Sequence, residues 1–148
     1  MKRLFYLLAA AAFTACGSAT TLSVMTFNMR YDNPEDGADN WRFRRGRVAE
    51  VIASHGVDVF GTQELLANQL GDLKRLLPGY AAVGVGREDG AEAGEFSAVF
   101  YRRDRFTPLE SGTFWLSETP DVAGSKGWDG ACERVATWVV LHDRDGGR

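Results

Sequence analysis

Two short apolar runs, each closing on polar side chains, constrain this chain more than any other feature. LSVMTFNM (Leu22 to Met29) carries β-branched and aromatic residues with apolar side chains on both faces, and VDVFG (Val57 to Gly61), running on into TQEL, reads as a second strand. A strand that is apolar on both faces sits inside a layered structure rather than at a solvated edge. Between the runs, Trp41 to His55 places Val48, Val51 and Ile52 at helical spacing, with Gly56 just past the helix end. Leu66, Leu70, Leu73 and Leu77 then make one apolar helix stripe, which Pro78 and Gly79 end. Strand, helix, strand, helix is the opening of a mixed sheet flanked by helices, an α/β (α+β) class.

Beyond that point the chain turns to strands, expected at Tyr80 to Val85, Phe96 to Tyr101, Phe106 to Leu109, Thr113 to Leu116 and Val135 to His142. Arg103 and Asp104 read as a tight hairpin link. Tyr31 to Asn40, rich in Asn, Asp, Gly and Pro, reads as a loop, and so does Ser117 to Glu133. Loops as long as the second are usually functional in compact domains. The closing HDRDGGR reads as a hairpin turn, so the next strand is expected just where the chain stops.

The first 19 residues have the layout of an export signal. Lys2 and Arg3 precede an apolar stretch from Leu4 to Phe13, and small residues follow. Phe13-Thr14-Ala15-Cys16 resembles a bacterial lipobox, which would lipidate Cys16 and anchor the protein to a membrane; ordinary cleavage near Ala19 is the other reading. Either way the destination is the periplasm or cell envelope, and Cys132 is left without a disulfide partner. The chain has 17 basic and 20 acidic residues, and losing Lys2 and Arg3 makes its net charge of −3 more negative still. Long polyanions are held largely by Lys and Arg, so this balance favours a metal-centred site for small phosphoesters. The cluster Arg42, Arg44, Arg45 and Arg47 reads as a solvated helix face that could steer a phosphate.

The segments TFNMRY and DVFGTQEL together resemble the opening half of the endonuclease/exonuclease/phosphatase family of metal-dependent hydrolases. The stretches from Gly86 to Phe106 and from Ser111 to Trp138 resemble one bacterial subgroup of that family. The resemblance implies a DNase I-like four-layered αββα sandwich, of which residues 20–148 would supply roughly the first half. It implies Glu64 as a ligand of Mg2+, with Mn2+ as a substitute, Asn28 as the residue that positions metal and phosphate, and Arg134 as the contact to the scissile phosphate. Gln63 would orient the site. The family's later Asn-Thr-His, Gly-Asp-Phe-Asn and Ser-Asp-His segments do not occur here. The expected activity is phosphodiester or phosphomonoester hydrolysis by metal-activated water, incomplete in this stretch of chain.

The residue types suit that chemistry. Phosphate-ester hydrolysis needs charge neutralised on the nonbridging oxygens and a water activated, and a divalent ion can serve both. One carboxylate at a strand end is a fitting magnesium anchor. A planar guanidinium suits bidentate contact with phosphate. Bland readings stand beside these: Glu64 as a first-turn acid of the following helix, Asn28 as a turn former, Arg134 as a surface ion pair. Asp32 and Asn33 read as loop chemistry, His55 as a cation in a last helical turn, and Glu95 as a rim residue. His142 lies beside the terminal turn. Expected substrates are phosphate esters: nucleic acid, nucleotide, phospholipid head group or inositol phosphate. No protein partner is implied. One competitor is an exported lipoprotein or binding module with a decayed phosphoesterase fold. Another is a carbohydrate-binding domain, which requires Trp115 and Trp128 to line one open face.

Overall fold

The computed structural model describes residues Thr21 to Gly146; the export signal, the lipobox and Cys16 lie outside the described residues. Strand β1 (Val24–Asn28) leads into a loop and a short 3-10 helix (Pro34–Asp39), then α1 (Trp41–Ser54), β2 (Val59–Gln63), α2 (Ala67–Leu76), β3 (Tyr80–Val83) and β4 (Val99–Arg102). β5 (Phe106–Trp115) and β6 (Val135–Asp143) complete the chain. One sheet has the order β1-β2-β4-β3, with β1 and β2 parallel and the other two pairs antiparallel; β5 and β6 form a separate antiparallel ribbon.

Both helices pack against the four-stranded sheet. Val48, Ala49 and Ile52 of α1 and Leu73 of α2 share one buried cluster with Phe60 and Phe100 of the central strands. The Phe60 and Phe100 rings stack with centroids 4.5 Å apart, and Tyr80 meets Phe60 edge-on at 5.4 Å. Burying a phenylalanine fully is worth about 1.5–3 kcal/mol, so this stack is a principal fastening of the sheet. Tyr101, next to Phe100, points to the opposite face and is also buried. The Asn40 side chain accepts from Arg42 N–H at 3.2 Å and starts α1. Gly56, at φ +56°, turns the chain out of it. The Trp41 indole donates to Asp72 at 2.8 Å and ties α1 to α2.

An ionic joint connects the ribbon to the sheet. The Arg105 guanidinium, only 6% exposed, forks onto both Asp143 oxygens at 3.0 and 2.8 Å and donates to Asp58 at 2.7 Å. Hydrogen bonding from Arg105 holds the Asp143 carboxyl down at about 2 against the opposing effect of desolvation. Asp58 leads straight into β2, so this triad fixes β5 and β6 to the middle of the sheet.

Four local expectations change. β1, expected inside the layers because both its faces are apolar, is an edge strand among the described residues, with Val24 67% exposed. The loop from Tyr31 to Asn40 contains the 3-10 helix, started by Asn33 accepting from Glu35 N–H at 3.1 Å and by Pro34 at its first position. Phe106 to Trp115 is one strand with an irregularity near Pro108 to Glu110 rather than two. Arg103-Asp104 is no hairpin link, because β4 pairs with β2 and β3 while β5 leaves for the ribbon.

Candidate functional site

β1 and β2 run parallel with Asn28 opposite Gln63, so both strands deliver their last residues to the same edge of the sheet. The carboxyl ends of parallel strands are where open α/β sheets place ligands. Glu64 follows β2 in the left-handed region, φ +57°, and Arg30 after β1 does the same at φ +54°. Such conformations cost non-glycine residues about 1–3 kcal/mol each and cluster at functional sites. Here the turn at Glu64 sends its carboxylate back across the sheet edge instead of along the helix that follows. Asn28 Nδ2 donates to Glu64 Oε1 at 2.9 Å, and Tyr31 N–H approaches Oε2 at 3.4 Å. Asn28 Oδ1 accepts from Arg30 N–H at 2.8 Å. Glu64 therefore lies at the sheet edge beside Asn28 and is not a first-turn acid of α2.

The chain segment behind this corner is pinned from two sides. Gln69, fully buried on α2, accepts from Asp32 N–H and Leu66 N–H and donates to the Arg30 carbonyl at 2.9 Å. Arg44 donates to the carbonyls of Met29, Arg30 and Asp39. Neither role was legible in the sequence: Arg44 read as part of a solvated face, and Gln69 drew no notice. Of that basic cluster, Arg45 pairs with Asp72 at 3.1 Å. Asp32 accepts from Asn40 and Asn68, which keeps it in loop structure as expected.

A cleft of about 170 Å³ opens in front of the corner, and Asn28, Gln63, Glu64, Arg87, Glu95, Ser97, Arg134 and Val135 line it. The three site residues expected from sequence thus meet in one place: Asn28 and Glu64 from the sheet, Arg134 from the residue that precedes β6. Gln63 is oriented by donating to Thr26 Oγ1 at 3.2 Å. Among the described residues Arg134 makes no ion pair, although Glu64 and Glu95 line the same cleft. Arg87 and Ser97 were missed. The signal for Arg87 was its place in a short β-like excursion that brings it opposite Glu95, eight residues later. His55 caps α1 and His142 pairs with Thr107 in the ribbon; neither lines the cleft. Trp115 is buried with its indole donating to the Arg87 carbonyl at 2.6 Å, whereas Trp128 is 65% exposed. The two do not form one open face, which removes the carbohydrate-module expectation.

The donor set fits a hard divalent cation. Magnesium keeps several waters and is held by one or two carboxylates, often with the substrate's own phosphate oxygens. Glu64 with the Asn28 amide beside it offers that kind of partial shell. Among the described residues no group of three or more His, Cys, Asp or Glu side chains forms a closed metal cage.

The model of the endonuclease/exonuclease/phosphatase family matches residues 25–146. The chain belongs to this family. Similar solved structures include an endonuclease/exonuclease/phosphatase from Bacteroides vulgatus, 50% identical with a TM-score of 0.82, covering 83% of this chain and 47% of the other. A family protein from Bacteroides thetaiotaomicron is 48% identical with a TM-score of 0.84, covering 86% of this chain and 46% of that one. A mannosyl-6-phosphatase from the same organism is 47% identical with a TM-score of 0.83, covering 86% of this chain and 48% of that one. The chain spans about half the length of these relatives. No curated protein matches it in sequence. The DNase I-like fold class expected from the sequence is the one these neighbours share, with this chain forming a part of it.

Proposed function

We propose that this chain carries part of the active site of an exported, magnesium-dependent phosphoesterase that cleaves small phosphomonoesters, sugar phosphates foremost. Family membership supports phosphoester hydrolysis in general. The neighbour named a mannosyl-6-phosphatase favours a sugar phosphate over nucleic acid, and so does the acidic charge balance. The observation that carries the reading is the Asn28 to Glu64 hydrogen bond of 2.9 Å at the mouth of a cleft that Arg134 also lines.

In this reading Glu64 holds the ion, and Asn28 fixes the Glu64 carboxylate through its amide N–H while its own oxygen is set by Arg30. A bound magnesium would supply charge neutralisation at the phosphate and a more acidic water. Arg134 binds the nonbridging oxygens, since Arg87, the other cation lining the cleft among the described residues, is paired with Glu95. The left-handed turns at Arg30 and Glu64, locked by Arg44 and Gln69, keep these groups in place before substrate arrives, so little reorganisation remains during the reaction.

The test is hydrolysis of p-nitrophenyl phosphate and bis-p-nitrophenyl phosphate by the full-length protein, with magnesium and with chelator. The expected result is magnesium-dependent turnover favouring the monoester, lowered at least about 100-fold in Glu64→Ala, since even supporting groups around metal ligands are worth 10–100-fold. Turnover that survives chelator or Glu64→Ala contradicts the reading. No turnover with either ester favours a binding module with a decayed site.

A further inference from the structure

Past the Asn28–Glu64 corner the cleft continues to Arg87, Glu95 and Ser97, which the preceding reading leaves without a task. Arg87 Nη1 donates to Glu95 Oε2 at 2.8 Å, with the two side chains 16% and 24% exposed. The pair is built into its place. Arg87 N–H donates to the Glu95 carbonyl at 3.2 Å, Gly86 bridges to Phe96, and the Trp115 indole holds the Arg87 carbonyl. Arg87 Nε is buried with no hydrogen-bond partner among the described residues. A buried donor left unpaired is costly, so the scaffold holds this guanidinium in the cleft wall against its own preference for water.

Charge separates the tasks of the two arginines. Glu95 pairs with Arg87, whereas Arg134 has no ion-pair partner among the described residues, so a phosphate is drawn to Arg134. A neutral pair presenting donors on one member and acceptor oxygens on the other matches a different group, the hydroxyl, which both donates and accepts. Ser97 adds a further hydroxyl partner beside Glu95, and among the described residues no aromatic ring lines this end to stack a nucleobase. We infer that the Arg87–Glu95 pair, with Ser97, is the specificity-determining wall of the cleft and recognises neighbouring hydroxyls on the alcohol part of a sugar or polyol phosphate. This inference rests on the phosphoesterase reading.

The experiment compares kcat/KM for a hexose 6-phosphate and for phenyl phosphate, which lacks hydroxyls, in the full-length protein and in Arg87→Met and Glu95→Gln. The selectivity ratio is expected to fall at least about tenfold in both variants, mostly through KM for the sugar phosphate, as befits a site built to hydrogen-bond substrate hydroxyls. A ratio within about twofold of the parent's overturns the inference, whether absolute rates hold or collapse, because a merely structural pair affects both substrates alike. So does a parent that prefers phenyl phosphate. Saturation-transfer NMR with the hexose 6-phosphate gives a readout free of turnover. Ring-proton signals present with the parent and lost in Glu95→Gln, whose shape is conserved, support the wall even if the hydrolysis reading fails; no signal with the folded parent refutes it.

Discussion

The helix-backed sheet and the β5–β6 ribbon are fastened by different forces. In the sheet, Phe60, Phe100, Ile52 and Leu73 are essentially removed from water and packed against one another. The ribbon leaves Leu109, Phe114, Trp138 and Val140 exposed, buries Phe106 and Trp115, and is oriented on the sheet by the charged joint of Arg105, Asp58 and Asp143. Apolar packing fixes a surface broadly, whereas a forked ion pair fixes one orientation. The candidate site spans both regions, with Asn28 and Glu64 on the packed part and Arg134 at the start of the ribbon. The proposed metal corner is thus placed by packing, whereas Arg134, the proposed phosphate contact, sits at the end of the ribbon opposite the charged joint, beside Trp115, whose indole donates to the Arg87 carbonyl.

That contrast can be broken at either region. Phe60→Ala is expected to cost about 3–5 kcal/mol in denaturant unfolding, by transfer plus cavity. Arg105→Ala is expected to cost a similar amount, about 3–5 kcal/mol, because it strands the buried Asp58 carboxylate. The two should differ in pattern: hydrogen exchange in Arg105→Ala should rise in β5 and β6 first, and in Phe60→Ala throughout the sheet. Matching patterns would mean that the regions do not differ in the way described.

Acid offers a gentler approach. Arg105, foremost, holds Asp143 down at about 2, well below the ordinary aspartate value of about 3.9. A carboxyl lowered on folding contributes stability that is complete above its unfolded value and is lost as pH falls through its folded one. Between about pH 4 and pH 2 the ribbon should therefore loosen ahead of the helix-backed sheet, visible as faster exchange in β6, and Arg105→Ala should lack this step. The smallest effect belongs to the ribbon's outer face. Val140→Ala, at a largely exposed position, should change stability by no more than about 0.5 kcal/mol.

The contrast also explains what the sequence disclosed. The leucine stripe, the Gly56 end of α1 and the apolar run of β2 carry their signal within a few residues, and these elements stand where periodicity puts them. Pairing does not: β4 lies between β2 and β3 through contacts remote in sequence, so the hairpin expected at Arg103-Asp104 had a local signal and no partner. The gap expected between Leu109 and Thr113 is closed, because a ribbon with one irregularity absorbs it. Asn28 and Glu64 were singled out through the family resemblance, since a place at a strand end fits a turn former and a first-turn acid as well as a site residue. Arg87 was not, because its meaning lies in a neighbour brought opposite it by a turn. Gln69 and Arg44 hold loop carbonyls, a function that leaves no pattern in side-chain type.

The most direct test of the central claim is titration of the full-length protein with Mn2+, followed by electron paramagnetic resonance, beside Glu64→Gln. The account predicts saturable binding by the parent that magnesium displaces, weakened at least about tenfold when the carboxylate becomes an amide of the same shape. Equal binding by the two proteins would show that Glu64 is no metal ligand and that the Asn28–Glu64 corner is not the metal centre.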